Sequence, residues 1–286
     1  MKSRIGLALG SGSARGWSHI GVLRALAERG VEPDIVCGCS IGALVGAAYV
    51  DGDLDKLERW VATLTWQDVL GLLDVSLVGG LIKGDKLVAF FERHFVDKDF
   101  AALPKPFACV ATDLENGREV WLREGSVASA VRASIALPGL FKPSRCGDRL
   151  LVDGGLVNPV PVSLCRALGA DLVIAVDLGS DRIGRPGPGR KEQAEREPWW
   201  RRIGGGSGAG PLPSVADTIS TSIHIMQVRI ARSRMAGDPP DVAIAPRLAQ
   251  LGLMDYHRGS EAIAEGRAAV ERLWPAIQHA LEGAAP

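Results

Sequence analysis

Two glycine-rich turns near the start of the chain, each between an apolar run and a helix-competent segment, constrain the fold more than any other feature. Residues 5–9 predict a strand, and residues 14–29 carry apolar residues at helical spacing. Residues 31–37 predict a second buried strand, and the small apolar residues 41–50 can form the helix that follows it. Strands that alternate with helices pair in parallel, with helices on both faces of the sheet. The pattern therefore predicts an α/β fold of three layers, α/β/α, with a mainly parallel central sheet.

The second of these turns has the sequence pattern of a nucleophile elbow. It reads GCSIG, with Gly38 and Gly42 two residues on either side of Ser40. Glycine at these positions removes side chains that would clash in a sharp turn from strand to helix. The serine hydroxyl then lies over a helix N-terminus, where the helix dipole favours developing negative charge. Ser40 is therefore the candidate nucleophile.

The first turn is a glycine-rich loop, GSGSARG, that begins at Gly10 and ends at Gly16. Successive backbone N–H groups at the start of a helix can bind an anion, and two interpretations are open: a dinucleotide-binding fingerprint or an oxyanion hole. The fingerprint GxGxxG is not matched, since Arg15 stands at the third glycine position, and the nearest acidic residues precede the second strand or open it. An oxyanion hole explains both turns, because parallel strands place them at one edge of the sheet. Its donors would be the amides of Ser11, Gly12, Ser13 and Ala14.

A third signal is an aspartate at the end of a predicted strand. Asp153 follows an apolar run and precedes Gly154 and Gly155. Aspartate at a strand end is common, so the position alone is weak evidence. A serine nucleophile needs a base, however, and a carboxylate can serve when it is hydrogen bonded directly to the hydroxyl in a partly dry site. Asp153 is therefore the candidate base.

In this order, the three motifs resemble those of the patatin-like phospholipases, in particular the bacterial branch that is similar to the catalytic domain of neuropathy target esterase. The resemblance covers residues 5–168 and continues more loosely through 235–240. It includes a block before the aspartate that contains Ala133, Ser134, Pro138, Phe141 and Pro143. In that family the elbow serine and the DGG or DGA aspartate form a catalytic dyad, and the glycine-rich loop is the oxyanion hole. The resemblance gives these roles to Ser40, to Asp153 and to the loop 11–16.

The resemblance implies a patatin-like fold and a serine acyl-ester hydrolase that acts on phospholipid or lysophospholipid through an acyl-enzyme, without a metal or organic cofactor. One departure lies in the loop, where the family reads GGGxRG and this chain has Ser11 and Ser13 at two glycine positions. If either position requires a positive φ, serine there costs backbone strain. Arg15 is expected to anchor the loop or contact a phosphate, with a position on a helix surface as the alternative.

The resemblance also suggests a domain organisation. We expect a catalytic core at 5–168 and a C-terminal part at 169–286 that completes the same domain. The Gly-, Pro- and Arg-rich stretch 181–213 has few aliphatic residues and is predicted to be a mobile loop. Its Trp199 and Trp200 are flanked by arginines, which suits peripheral contact with a membrane interface. The more ordinary interpretation is that both tryptophans fold back onto the protein body.

Further elements are predicted along the chain. Helices are expected at 53–64, 85–95, 126–134, 214–235 and 259–281, and strands at 107–114, 150–152 and 171–178.

Charge and hydropathy limit the partners and the location. The 286 residues include 33 basic and 33 acidic residues, so nothing in the overall charge suggests a nucleic-acid partner. Glycines interrupt the N-terminal apolar run before it reaches the length of a secretory signal. The longest uncharged stretch, 35–50, is shorter than the roughly 18 residues of a spanning helix. We therefore expect a cytoplasmic protein.

The cysteines are scattered among apolar residues and lack the spacing of a metal site. We interpret all of them as reduced core thiols: Cys37, Cys39, Cys109, Cys146 and Cys165. Cys39 lies beside Ser40, but a thiol with apolar neighbours is expected to be buried and inert.

Three other functions compete with a serine–aspartate dyad. His224 and His257 follow Asp153, in the order of an α/β-hydrolase triad, although the five histidines carry no motif (His19, His94, His224, His257, His279). The other two are a nucleotide-binding oxidoreductase and a non-catalytic regulatory or scaffolding protein with a degenerate pocket.

Overall fold

The computed structural model describes residues 3–72, 98–182 and 215–284. Eight strands in these residues form one sheet. They are β1 (Ile5–Leu9), β2 (Ile35–Cys39), β3 (Phe107–Asp113), β4 (Glu119–Leu122), β5 (Ser144–Cys146), β6 (Arg149–Asp153), β7 (Leu172–Val176) and β8 (Val242–Ile244). The hydrogen-bonded path runs β5-β6-β3-β2-β1-β7-β8, and β4 also pairs with β3.

The strands are parallel through most of the sheet and antiparallel where β4, β5 and β6 pair. Each pair along β3-β2-β1-β7-β8 is parallel, whereas β4 and β6 are antiparallel to β3, and β5 is antiparallel to β6. Every residue of β2, β3 and β7 is buried, as expected for parallel strands covered on both faces.

The helices of the described residues cover both faces. They are α1 (Ser18–Glu28), α2 (Ile41–Asp51), α3 (Leu54–Thr63), α4 (Trp66–Leu72), α5 (Val127–Ser134), α6 (Val162–Ala167), α7 (Val215–Gly237) and α8 (Gly259–Gly283). Short 3-10 helices lie at Ser13–Trp17, Phe100–Ala102, Gly154–Leu156, Ser180–Arg182 and Tyr256–Arg258.

Alternation along the strands divides the core between the two faces. Leu7 and Leu9 of β1 belong to a large cluster with α1, α2, α3, α5 and α8. Ala8, between them, belongs to a second cluster on the opposite face, with α6 and α7. The three-layer α/β/α prediction is therefore confirmed.

Several predicted boundaries move. The second strand begins at Ile35 and extends to Cys39, since the residues before it form the connection in which the Asp34 carboxylate accepts the Ile5 amide. The helix predicted from residue 14 begins as the 3-10 helix Ser13–Trp17. The predicted helix 85–95, nearly all of the loop 181–213, and Trp199 and Trp200 lie outside the described residues.

Among the helices of the described residues, none is both long and apolar enough to span a bilayer.

The cysteines differ in burial. Four of them are buried, but Cys146 is exposed on β5, so the prediction of five core thiols is wrong at this position. The reason is that β5 lies at the end of the sheet path, where its residues are only partly covered.

Candidate active site

Ser40 lies in a strained turn between β2 and α2. Its backbone has φ 57 and ψ −124, a conformation that costs on the order of 1–3 kcal/mol in a non-glycine residue. Its amide donates to Oγ of Ser134 over 2.9 Å, and that hydroxyl donates to the Val110 carbonyl over 2.7 Å. Ser134 therefore ties the strained turn to β3.

The two elbow glycines allow close backbone approach. A Cβ added at Gly38 would lie 2.4 Å from Cα of Ala43, and one at Gly42 would lie 2.1 Å from the Leu9 carbonyl oxygen. Neither glycine has a positive φ. Both positions thus require glycine because there is no space for a side chain, and not because the backbone needs a left-handed conformation.

Asp153 contacts the hydroxyl of Ser40 directly. Oγ of Ser40 donates to Oδ2 of Asp153 over 2.6 Å, and the Gly155 amide donates to Oδ1 over 2.7 Å. Asp153 is only 1% exposed. Burial raises the pKa of its carboxyl group to about 6, although the hydrogen bonds from Ser40 and Gly155 lower it. Such a carboxylate is ionised at neutral pH and close to the pKa that suits a general base.

The strand register explains why these two residues meet. Val110 of β3 pairs with Cys39 on one side and Trp121 on the other, while Ala111 pairs with Asp153 and with Val120. Since β4 occupies one edge of β3 at both positions, β2 and β6 share the other edge. The two strands run in opposite directions and end next to each other there. Their ends bring Ser40 and Asp153 together.

The glycine-rich turn lies beside this pair, but only part of it is available to a ligand. The Ser11 amide donates to the Pro159 carbonyl over 2.8 Å, and the Ala14 amide donates to the Leu253 carbonyl over 3.1 Å. Within the described residues, the amides of Gly12 and Ser13 have no acceptor. Of the four predicted donors, these two are the candidates that the structure leaves.

The two serines of the turn differ in conformation. Ser13 has φ 53, in the left-handed region, whereas Ser11 does not have a positive φ. A non-glycine residue in this region costs about 1–2 kcal/mol, so the condition for strain holds at position 13 alone. Gly12 has another constraint, because a Cβ there would lie 2.6 Å from the Leu178 side chain.

Two buried side chains hold the glycine-rich turn. Arg15 has no exposed surface, so the helix-surface alternative is wrong, and its Nη1 donates to the Leu178 carbonyl over 3.0 Å, which ties the turn to the segment after β7. His19 donates from Nε2 to the Gly10 carbonyl over 2.8 Å, while Nδ1 has no partner among the described residues. Burial lowers the pKa of His19 to about 4, although the bond to Gly10 raises it. The imidazole is therefore neutral at pH 7.

A cleft opens beside the serine and the aspartate. It contains about 910 Å³ of empty space, including space open to solvent. Its walls are mainly apolar, with side chains such as Leu44, Trp60, Leu64, Val69, Ile135 and Phe141. Ser40, Asp153, Gly12, Ser13 and Tyr256 are among its polar lining residues. A long apolar group with one polar reacting centre matches this lining.

Among the described residues, the hydroxyl of Ser40 is hydrogen bonded to Asp153 and to none of the other candidate groups. His224 lines the cleft, but its Nδ1 lies 3.3 Å from Nη2 of Arg15, and the His257 ring packs edge-on against Trp66. Cys39 is buried, and burial raises the pKa of its thiol well above the ordinary value, with a further contribution from Asp153. Across 3–72, 98–182 and 215–284, no cluster of three or more histidine, cysteine, aspartate or glutamate side chains could hold a metal ion.

Two residues of this site were not predicted from the sequence as contributors. In the sequence, Ser134 stands out only as part of the block before the aspartate, and Tyr256 belongs to no motif. The hydroxyl of Tyr256 lies 2.7 Å from Oγ of Ser13, although the two residues are 243 positions apart. The sequence predicts the helix that contains Ser134, because Ser126 is a suitable cap for α5. Nothing in the sequence indicates which groups the hydroxyl of Ser134 contacts.

Comparison with known proteins places this chain in a family. A family model described as patatin-like phospholipase matches residues 7–166. An uncharacterised NTE family protein of Mycobacterium tuberculosis (strain ATCC 25618 / H37Rv) is 32% identical, with 93% of this chain and 89% of that protein covered. The chain therefore belongs to the patatin-like phospholipase family, and this membership supports lipid hydrolase activity.

Two further similarities show how far the relationship extends. Patatin-like phospholipase domain-containing protein 6 of Homo sapiens is 38% identical over 62% of this chain, which corresponds to 13% of that protein. VipD from Legionella pneumophila has a TM-score of 0.58 and 16% sequence identity, with 95% of this chain and 66% of VipD covered. The likeness to VipD is one of fold.

Proposed function

We propose that the protein hydrolyses acyl esters of phospholipid or lysophospholipid through an acyl-enzyme, with Ser40 as nucleophile and Asp153 as base. The observation that carries the proposal is the 2.6 Å hydrogen bond from the Ser40 hydroxyl to a buried carboxylate, at the edge of an apolar cleft. Family membership supports the lipid substrate class. The same proposal assigns the oxyanion hole to the loop 11–16. It also includes one domain, with a catalytic core at 5–168 that residues 169–286 complete.

The reaction proceeds in two transfers. Oγ of Ser40 attacks the ester carbonyl carbon while its proton passes to Asp153, and the amides of Gly12 and Ser13 stabilise the oxyanion. When the carbon–oxygen bond to the alcohol breaks, the carboxylic acid of Asp153 returns that proton to the alcohol. Water then attacks the acyl carbon while Asp153 takes one of its protons. As the bond from the acyl carbon to Oγ of Ser40 breaks, Asp153 returns that proton to Oγ and the fatty acid is released.

Ser40→Ala and Asp153→Asn test this assignment. We expect Asp153→Asn to lower kcat for a lysophospholipid at least about 100-fold, because general-base catalysis of this kind contributes factors of about 100 to 10,000. Ser40→Ala should abolish both hydrolysis and labelling by a fluorophosphonate probe. Rates of labelling and of fatty-acid release are the measurements.

The controls separate this proposal from its alternatives. His224→Ala and His257→Ala should retain hydrolysis, and loss of activity in either one would favour a serine–histidine–aspartate triad. A folded wild-type protein that neither hydrolyses esters nor reacts with the probe would favour a non-catalytic protein. A spectral change on titration with NAD(P)H would favour the oxidoreductase.

A further inference from the structure

Ser13 and Tyr256 form a hydroxyl pair in the wall of the cleft. Oγ of Ser13 and the phenol oxygen of Tyr256 are 2.7 Å apart, and both residues line the same cleft as Ser40. Burial raises the pKa of Tyr256, the hydrogen bond to Ser13 lowers it, and the charge of Asp153 raises it further. The phenol therefore keeps its proton at neutral pH.

The backbone conformation of Ser13 needs a stabilising contact from another residue. This residue adopts a left-handed φ of 53, which glycine tolerates and serine does not favour. Its amide is one of the two in the glycine-rich turn that no acceptor among the described residues occupies. A relaxation of Ser13 toward ordinary backbone angles would therefore displace a candidate oxyanion donor.

Tyr256 is itself fixed by contacts that do not involve its hydroxyl. Its carbonyl accepts from Nε1 of Trp17 over 3.2 Å, and its ring packs against the Trp17 ring with centroids 6.0 Å apart. The nearby Leu253 carbonyl accepts the Ala14 amide. Removal of the hydroxyl alone would thus leave the aromatic ring in place.

We propose that Tyr256 is a positioning residue of the oxyanion turn, whose hydroxyl holds Ser13 in the left-handed conformation that presents the Gly12 and Ser13 amides to the substrate. The inference rests on the proposed function, since it assigns those amides to the oxyanion. Tyr256 acts through Ser13 and forms no bond to the reacting atoms.

Tyr256→Phe in two backgrounds tests the role. In the wild-type background we expect kcat to fall about tenfold with KM within about twofold, because one hydrogen bond to a strained residue is lost while the cleft wall is kept. Ser13→Ala should reproduce this loss, because it removes the same bond and keeps the strained backbone. In the Ser13→Gly background, whatever its own activity, Tyr256→Phe should change kcat less than twofold, since glycine needs no hold at this φ.

Tyr49→Phe is the matched control, because Tyr49 is the other tyrosine of the chain and does not line this cleft. It should leave kcat unchanged, and thermal unfolding should show that Tyr256→Phe stays folded. If Tyr256→Phe lowers kcat equally in both backgrounds, or has no effect in the wild type, the positioning role is overturned while the proposed function stands. A wild type without hydrolysis or probe labelling would overturn both.

Discussion

Two fully buried titratable side chains, Asp153 and His19, have pKa values that shift in opposite directions. The pKa of Asp153 rises from 3.8 to about 6, and that of His19 falls from 6.5 to about 4. Between about pH 4 and 6, the folded protein therefore carries one more proton on Asp153 than the unfolded chain does, and one fewer on His19. As pH rises from about 4 to 6, Asp153 therefore lowers the free energy of unfolding while His19 raises it, and the two contributions nearly cancel.

Asp153→Asn should expose the hidden contribution of His19. Without the buried carboxyl, the free energy of unfolding of the variant relative to wild type should increase by about 3 kcal/mol between pH 4 and 6 and then level off. Urea unfolding at several pH values measures this difference. Asp148→Asn, a change at an exposed carboxylate, is the control. A difference between Asp153→Asn and wild type that does not vary with pH would contradict the expected shift.

At the residue scale, sequence motifs located the hydrogen-bonded pair Ser40 and Asp153 but not the residues that support it. Ser40 and Asp153 each follow a predicted strand and have glycines close by, a local pattern that can be seen in the sequence. The partners of the site are distant in the chain: Ser134 lies 94 residues from Ser40, and Tyr256 lies 243 residues from Ser13. Local patterns carry no information about such contacts. The same limit explains why the acceptors of the Ser11 and Ala14 amides were not foreseen.

At the scale of elements, α1 and α8 approach each other unusually closely. A Cβ at Gly21 of α1 would lie 1.9 Å from the Ile263 carbonyl oxygen, and one at Gly266 of α8 would lie 2.0 Å from the Ser18 carbonyl oxygen. Backbone atoms cannot give way as a flexible side chain does. The contact therefore depends on glycine in both helices.

Gly266→Ala should destabilise the protein by at least about 2 kcal/mol, because overpacking against backbone forces the two helices apart and outweighs the better helix propensity of alanine. Gly283→Ala is the matched control in the same helix, where an added Cβ meets no atom within 4 Å. It should be neutral or slightly stabilising. The midpoint of urea unfolding is the measurement, and equal midpoints for both variants would contradict the close contact.

Element predictions succeeded where apolar patterns were long and failed where strands were short. The stripe on α8 that includes Val270 and Ile277 lies in the main core, as its spacing indicated. The strands β4, β5 and β8 were not predicted, because they have only three or four residues and two of them, β4 and β5, include polar residues. The antiparallel direction of β6 is also a tertiary property, since its apolar run is compatible with either direction.

At the scale of the whole molecule, the sheet extends beyond the region that the family model matches. That region ends at residue 166, yet β7 pairs along the full length of β1 and is buried throughout. On the helix side, α8 packs against α1. Residues after 168 thus contribute to the centre of the core.

A chain that ends at residue 168 should fail to fold cooperatively. Loss of β7 would leave the backbone of β1 unpaired on one side and expose apolar residues on both faces of the sheet. Far-UV circular dichroism during urea unfolding should show no sharp transition, in contrast to the full chain under the same conditions. A sharp transition in the shortened chain would instead indicate that residues 5–168 fold independently.

The meeting of β2 and β6 on one edge of β3 has a consequence for how the protein can change over evolution. The pairing of β2 and β6 with β3 sets the distance between the Ser40 hydroxyl and the Asp153 carboxylate. A shift of one residue in the register of β6 would turn the carboxylate to the opposite face of the sheet. The walls around them come from other segments, among them α3, α4 and α7. We therefore expect descendants of this scaffold to alter which molecules they accept while the hydroxyl and the carboxylate keep their spacing.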